Sequence, residues 1–178
     1  DWRLDERGPP PCDGIPAEPA LDASLPPVGE AAALERWAGF RAEGLASYDD
    51  LRNRADLAGT SNLSAHLRWG EIHPRTLLAD LDDSPAHTVF RKEIAWREFY
   101  ADVLHHAPAS ARTWLDPRFG AMEHDAGAEA DARFAAWCAG RTGFPFVDAG
   151  MRQLLAEGWM HNRVRMVTAS FLVKDLHL

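Results

Sequence analysis

A chain of 178 residues suits one domain with its own core and is short for two. With 46% hydrophobic and 26% charged residues it has the composition of a soluble globular protein, and a formal net charge of -8 argues against binding nucleic acid by overall charge. Cys12 and Cys138 carry no metal-ligand spacing and favour free thiols in a reducing cytoplasm over a disulfide framework; neither a membrane-spanning run nor a signal peptide is visible.

Residues 1–29 read as a poorly ordered linker, because Pro9-Pro10-Pro11, Pro16, Pro19 and Pro26-Pro27 preclude a regular helix there. Beyond it helical patterns alternate with short breaks and no strand alternation appears, which predicts an all-α body over 30–178. The first helix runs from Glu30 to about Gly44, followed by a loop through Tyr48 and Asp56 to Gly59. A second starts at Thr60-Ser61 and stops at Gly70; a third begins with Pro74 in its first turn and reaches Leu81. The longest spans about His87 to His106, with Pro108 preventing its continuation. Further helices cover about Glu129 to Ala139 and Asp148 to Glu157, and a last one starts near His161 and runs to the end. The chain opens with Asp1 and stops inside an apolar helical pattern, so both ends read as cut.

Charge is not evenly spread. The first third and the stretch from Asp116 to Asp131 are acid-rich, whereas Arg163, Arg165 and Lys174 make the C-terminal stretch basic. A local basic face on an acidic body stays open, because binding follows the local field. Seven Trp indicate large packed surfaces, contacts with a flat ligand, or both.

Several motifs carry two readings. Gly59-Thr60-Ser61-Asn62-Leu63-Ser64 combines a flexible residue, hydroxyls and a helix start. Unpaired N–H groups beside hydroxyls cradle phosphate, and the same residues serve equally as an ordinary cap. Glu93, Trp96, Arg97 and Tyr100 fall on one helical face. There Glu93 and Arg97 form a surface ion pair, or the carboxylate and the ring engage a base edge and its plane. Asn162, Arg165 and Met166 share a face of the last helix, with Arg163 turned away. Trp137, in an Ala-rich helix, reads as core. No metal site, P-loop or G-x-S-x-G motif is found, despite eight His.

The order of these motifs is more telling than any one of them. The runs AGTSNLSAHLRWGEIHPR, EIAWREFYADVL and GRTGFPFVDAGMRQLLAEGWMHNRVRMVTASFLVKDL resemble the DNA photolyase/cryptochrome family, over roughly Val28 to Leu178. The resemblance implies part of a helical FAD-binding domain. Tyr48 and Thr60, Ser61, Asn62, Leu63 and Ser64 match residues around the FAD phosphates and ribose. Arg97 and Arg165 match flavin-side positions, Trp159 and Asn162 line the folded FAD, and Phe90 stands where some members place a Trp on the cofactor.

On the substrate side, the resemblance makes Glu93 the carboxylate that hydrogen-bonds a flipped-out pyrimidine dimer, with Trp96 and Met166 lining the pocket and Tyr100 on the same face. Arg52 and Arg163 match contacts to the DNA backbone. Trp137 becomes the outermost, surface member of a Trp chain that photoreduces the flavin, replacing the core reading. Asn162 and Met166 are the pattern of enzymes for cyclobutane dimers, since members acting on (6-4) photoproducts carry His at both. The implied activity is light-driven repair of UV-damaged DNA: reduced FAD donates an electron to the dimer, and Glu93, deeply buried, stabilises the resulting charge. A monomeric, cytoplasmic protein is expected. The alternatives are a cryptochrome-type blue-light signalling flavoprotein and a helical module that binds nothing. The family's N-terminal antenna domain and its region beyond Leu178 have no counterpart here, so the resemblance implies exposed apolar helix surface and a chain inactive alone.

Overall fold

The structure is a computed structural model that describes residues 22–178. The expected Pro-rich linker lies, up to residue 21, outside the described residues. Eight α-helices, joined by turns and three 3-10 segments, account for the described chain, which contains no strand.

The first set of helices is built on short pieces around one long one. α1 (Glu30–Glu43) ends at Gly44; a 3-10 turn over Leu45–Ser47 leads into the single-turn α2 (Tyr48–Leu51). α3 (Ser64–Trp69) closes on Gly70, whose φ of 74° is the left-handed backbone a helix end favours. α4 (Pro74–Ala79) and α5 (Pro85–His106) both open with Pro in the first turn, where its missing N–H has no helical partner to lose.

Two departures from the expected boundaries have local causes. The stretch over 45–51 is too short to display a period, and α2 exists because it packs on α5. α3 begins at Ser64, not at Thr60. Asn62 takes a φ of 53°, Thr60 Oγ1 donates to Asn62 Oδ1 at 3.0 Å, and Leu63 N donates to Ser61 Oγ at 3.4 Å. These side chains make a turn of their own before the helix can start.

Ala33, Trp37, Leu45, Tyr48, Leu63, Ile72, Leu77, Ala86, Phe90 and Ile94 form the first core. Its centre is aromatic: Phe90 lies 5.5 Å from Trp37, 5.7 Å from Phe40 and 5.2 Å from Tyr48 between ring centroids. Trp37 Nε1 donates to Asp80 Oδ2 at 2.7 Å, and Arg41 pairs with the same carboxylate, tying α1 to the end of α4. On α5 the buried positions are Ala86, Phe90 and Ile94; the helix then continues with Trp96, Phe99, Tyr100 and Leu104 exposed.

The second set is α6 (Ala128–Cys138), α7 (Pro145–Glu157) and α8 (Asn162–Lys174). Its core gathers Val147, Met151, Met160, Val164 and Phe171, with Trp137, Leu154 and Leu176 partly buried against it. The broad helix–helix contacts run within the two sets: α2 on α5, α7 on α8, α6 on α7. Between the sets, Arg163 Nε donates to Asn53 Oδ1 at 2.8 Å. The segment before α1 also crosses to α7, where Ser24 N donates to Ala156 O at 2.7 Å.

The start of α7 depends on a buried carboxylate. Asp148 accepts from Thr142 N and Thr142 Oγ1, both at 2.7 Å, and from Gly143 N at 3.0 Å. The Thr142 hydroxyl, ahead of the backbone amides, holds its carboxyl below the ordinary value of 3.8. A carboxyl lowered on folding stabilises the fold above the ordinary carboxylate range and loses that contribution as pH falls through its folded value. Asp148→Asn is therefore expected to unfold at lower urea than the wild type at neutral pH, with the gap closing as pH falls below the ordinary carboxylate range. A gap that stays constant with pH would remove the charge from the account.

Candidate functional site

A chain of side-chain contacts joins the end of α2, α5 and the N-terminal turn of α8, and the surface around these contacts is the candidate cleft. Arg52, at the C-terminal end of α2, places Nη1 2.7 Å from Glu93 Oε1 on α5. Its guanidinium also sits 5.6 Å from the ring centroid of Tyr48. The next residue, Asn53, accepts from Arg163 of α8, and Arg163 Nη1 in turn reaches Met166 Sδ at 3.6 Å. Four residues expected on the substrate side, Arg52, Glu93, Arg163 and Met166, are thus neighbours, although up to 114 positions separate them in sequence.

Next to Glu93, the exposed face of α5 carries a ladder of rings. Trp96 stacks on Tyr100 at 6.1 Å, and Phe99 meets both edge-on at 5.5 and 5.4 Å. Rings left half-exposed and prearranged offer a surface for a flat ligand at little ordering entropy.

The residues expected around a flavin divide. Gly59 crosses the end of α2 so closely that a Cβ there would stand 2.7 Å from Leu51 O, which holds the Thr60–Ser64 turn against that helix end. The N-terminus of α3 receives no side-chain cap, and Ser64 is exposed there. Uncapped helical amides beside hydroxyls are what an anionic diphosphate binds. Asn162 and Arg165 are exposed on α8, and their side chains make no hydrogen bond or ion pair among the described residues. Trp159, half-buried, meets His161 edge-on at 6.2 Å. Burial pushes the Tyr48 phenol above its ordinary 10, against the pull of the Arg52 charge, so it stays a neutral donor near pH 7. The Thr60, Ser61 and Ser64 hydroxyls and the α3 amides are of the kind that fits a diphosphate, and the exposed Asn162 and Arg165 side chains, unpaired among the described residues, are free to meet a ligand, so the residues present fit FAD.

Other expected positions are corrected. Phe90 is buried among Trp37, Phe40 and Tyr48, so it stands behind the cleft and not on its surface. Arg97 turns away from Glu93: it engages Glu98, and its Nη2 donates to Leu67 O at 3.3 Å, beside a cavity of about 430 Å³ walled by α3, α4 and α5. Glu93 is not deeply buried; 34% of its side chain is exposed and it is held by Arg52, 22% of whose side chain is exposed. Trp137 is half-buried and not a surface residue, since its Nε1 donates to Thr168 O at 3.1 Å and its ring stacks on Phe134 at 5.9 Å. Trp137 thus packs against the second core as a partly buried residue.

A cavity of about 650 Å³ backs onto Thr60, Ser61 and Asn62, but its far wall is α1 with Glu35, Arg36 and Glu43. Two carboxylates against one guanidinium make a poor diphosphate site, and none of Trp159, Asn162 or Arg165 reaches it. The cleft, not this cavity, gathers the candidate residues.

Two groups escaped sequence reasoning. Asn53 has no motif around it. His161 caps α8: its Nδ1 accepts from Arg163 N at 3.1 Å, as His73 accepts from Arg75 N at the start of α4. Both imidazoles stand just before a helix and could have been read as caps, had His been admitted to that role.

Residues 90–178 match the family described as the FAD binding domain of DNA photolyase. The chain belongs to the DNA photolyase family. Within the matched region lie Glu93, Trp96, Tyr100, Asn162, Arg163, Arg165 and Met166, so both sides of the cleft but not its Tyr48–Ser64 floor belong to it. The chain is similar to the deoxyribodipyrimidine photo-lyase of Salmonella typhimurium, at 44% identity over 165 residues, covering 88% of this chain and 34% of that protein. The deoxyribodipyrimidine photo-lyase of Halobacterium salinarum is 43% identical over 172 residues, with 90% and 34% covered. Among solved structures, a bacterial class III photolyase from Agrobacterium tumefaciens superposes with a TM-score of 0.78 at 40% identity, over 84% of this chain and 32% of that one. A Synechocystis cryptochrome gives 0.72 at 25% identity, over 90% and 36%. The chain thus spans about a third of the length of the photolyase-family relatives it matches. Among the described residues, no helix is long and apolar enough to cross a membrane.

Proposed function

We propose that this chain supplies part of the flavin-binding half of a deoxyribodipyrimidine photolyase, a monomeric cytoplasmic enzyme that repairs cyclobutane pyrimidine dimers in UV-damaged DNA with light. The observation that carries the reading is the run of contacts from Glu93 through Arg52 and Asn53 to Arg163 and Met166, which sets a carboxylate, two guanidinium groups and a ring ladder around one cleft. When bound, FAD supplies the electron that opens the dimer. The protein's part is to bind and orient: Trp96, Tyr100 and Met166 receive the extruded bases, Glu93 accepts their N–H donors, and Arg52 and Arg163 take the flanking phosphates. Tyr48, Thr60 to Ser64, Trp159, Asn162 and Arg165 hold the cofactor. Residues 1–29 serve as a linker to a preceding domain, and 30–178 belong to the flavin domain.

Adding FAD to the purified chain is expected to produce a structured flavin band between the near-ultraviolet and the blue, with quenching of Trp159 fluorescence. Arg165→Ala should weaken that binding by roughly ten-fold, the order for one charge-assisted contact. Dimer loss under blue light, assayed with the full-length protein containing this chain, separates repair from light signalling. Flavin binding without repair would overturn the enzymatic reading and leave the cofactor.

A further inference from the structure

We infer that Glu93 masks Arg52 from nucleic acid, making the Arg52–Glu93 pair a device that disfavours undamaged strands; the inference rests on the DNA-repair reading above. The pair is close, at 2.7 Å, with 22% of the Arg52 side chain and 34% of the Glu93 side chain exposed. Tyr48 backs the guanidinium, so Arg52 cannot swing outward without losing both partners. Two neighbouring cations also have internal partners, of which only that of Arg54 is charged. Arg54 is bound to Asp56 through two hydrogen bonds of 2.8 and 2.6 Å, and Arg163 is held by Asn53. On a chain of net charge -8, Arg52 and Arg54 are thus both paired with carboxylates, whereas Arg165 on α8 is exposed and unpaired among the described residues, so the masking concerns Arg52 alone.

A phosphate that reaches Arg52 must compete with a carboxylate already in place. Exchange leaves Glu93 partly buried with no partner, and an unpaired carboxylate in such a place is unfavourable. An undamaged strand brings phosphates but keeps its bases stacked, so it has nothing to offer Glu93. An extruded base brings N–H donors into the pocket beside Trp96 and Tyr100 and replaces the hydrogen bonds that Arg52 gave. The two exchanges balance only when phosphate and extruded base arrive together. Glu93 then acts twice: as an acceptor for the lesion and as a competitor against everything else.

The test measures the affinity of the 178-residue chain for an undamaged oligothymidylate and for the same oligomer carrying one cyclobutane dimer, by fluorescence anisotropy across a salt series. Glu93→Gln is expected to bind the undamaged strand about two- to five-fold more tightly, the range for releasing a partly exposed ion pair. Its salt dependence should steepen by about 0.7 in log–log slope, one added phosphate contact on a single strand. Its preference for the dimer should fall. Arg52→Gln/Glu93→Gln is expected to lose the gain, and Glu157→Gln, which removes the same charge on α7 beside Gln153, should not reproduce it. Circular dichroism checks that each variant folds; if the double variant does not, the sign of the Glu93→Gln effect decides, since loss of a simple contact cannot tighten binding. Unchanged or weaker binding of undamaged DNA by Glu93→Gln, or a gain that persists without Arg52, overturns the masking while the DNA reading stands. Absence of binding to either strand by every variant at low salt overturns both.

Discussion

Replacing Phe90 by Ala is expected to lower the stability of the chain by about 3–5 kcal/mol, whether or not flavin is present. Phe90 is 3% exposed and touches Trp37, Phe40 and Tyr48, so truncation empties the centre of the first core at the point where α1, α2 and α5 meet. The cost combines the lost transfer of a ring from water with a cavity that three stiff aromatic neighbours cannot close. Urea unfolding followed by far-ultraviolet circular dichroism gives the number. An undiminished urea midpoint, with flavin affinity lost instead, would return the ring to the cofactor surface that the sequence motif suggested. Because the two cores are linked mainly through Arg163 and the segment before α1, Trp37 fluorescence should report the loss more strongly than Trp137 fluorescence.

Gly150→Ala should destabilise the second core by about 1–3 kcal/mol, a sign opposite to the usual effect of removing a helical glycine. Gly in a helix interior is ordinarily unfavourable by about 0.5–1 kcal/mol against Ala. Here a Cβ on Gly150 would stand 2.3 Å from Val164 Cγ1 and 3.4 Å from Thr168 Cγ2, both on α8. Val164 is β-branched and has little rotamer freedom to yield. The added methyl must therefore push α8 from α7, and with it Asn162, Arg163, Arg165 and Met166. Thermal unfolding of Gly150→Ala and of Gly150→Ala/Val164→Ala is the check: the second substitution should recover part of the loss, as coupled neighbours do. A stabilised Gly150→Ala would mean that the two helices are not in close contact there.

Phe90 is a residue whose meaning changed between sequence and structure, whereas Gly150 acquires one only in the structure. Helix ends were legible in the chain because they are local: Pro74, Gly70 and Gly158 act within one turn of themselves, and the helices they bound lie within a few residues of the expected spans. The cofactor and family were legible through long motif runs, which residues 90–178 match over half the chain. The α3 start was not, because Thr60 and Ser61, good capping residues in isolation, bond to each other's turn and delay the helix to Ser64.

Composition, period and motif settled the all-α class, the order of the helices and the kind of ligand, since each of these follows from residues close in sequence. Which side chains face the cleft was decided only on folding. Positions 93 and 97 lie one helical turn apart, yet Glu93 meets Arg52 from α2 while Arg97 meets Leu67 from α3. Phe90 and Trp137 are aromatic residues in family motifs, yet neighbours from distant segments enclose the one and half-cover the other. A pattern along the chain records what a side chain is able to do; the partners it meets, brought from 30 or more residues away by the burial of two cores, select what it does.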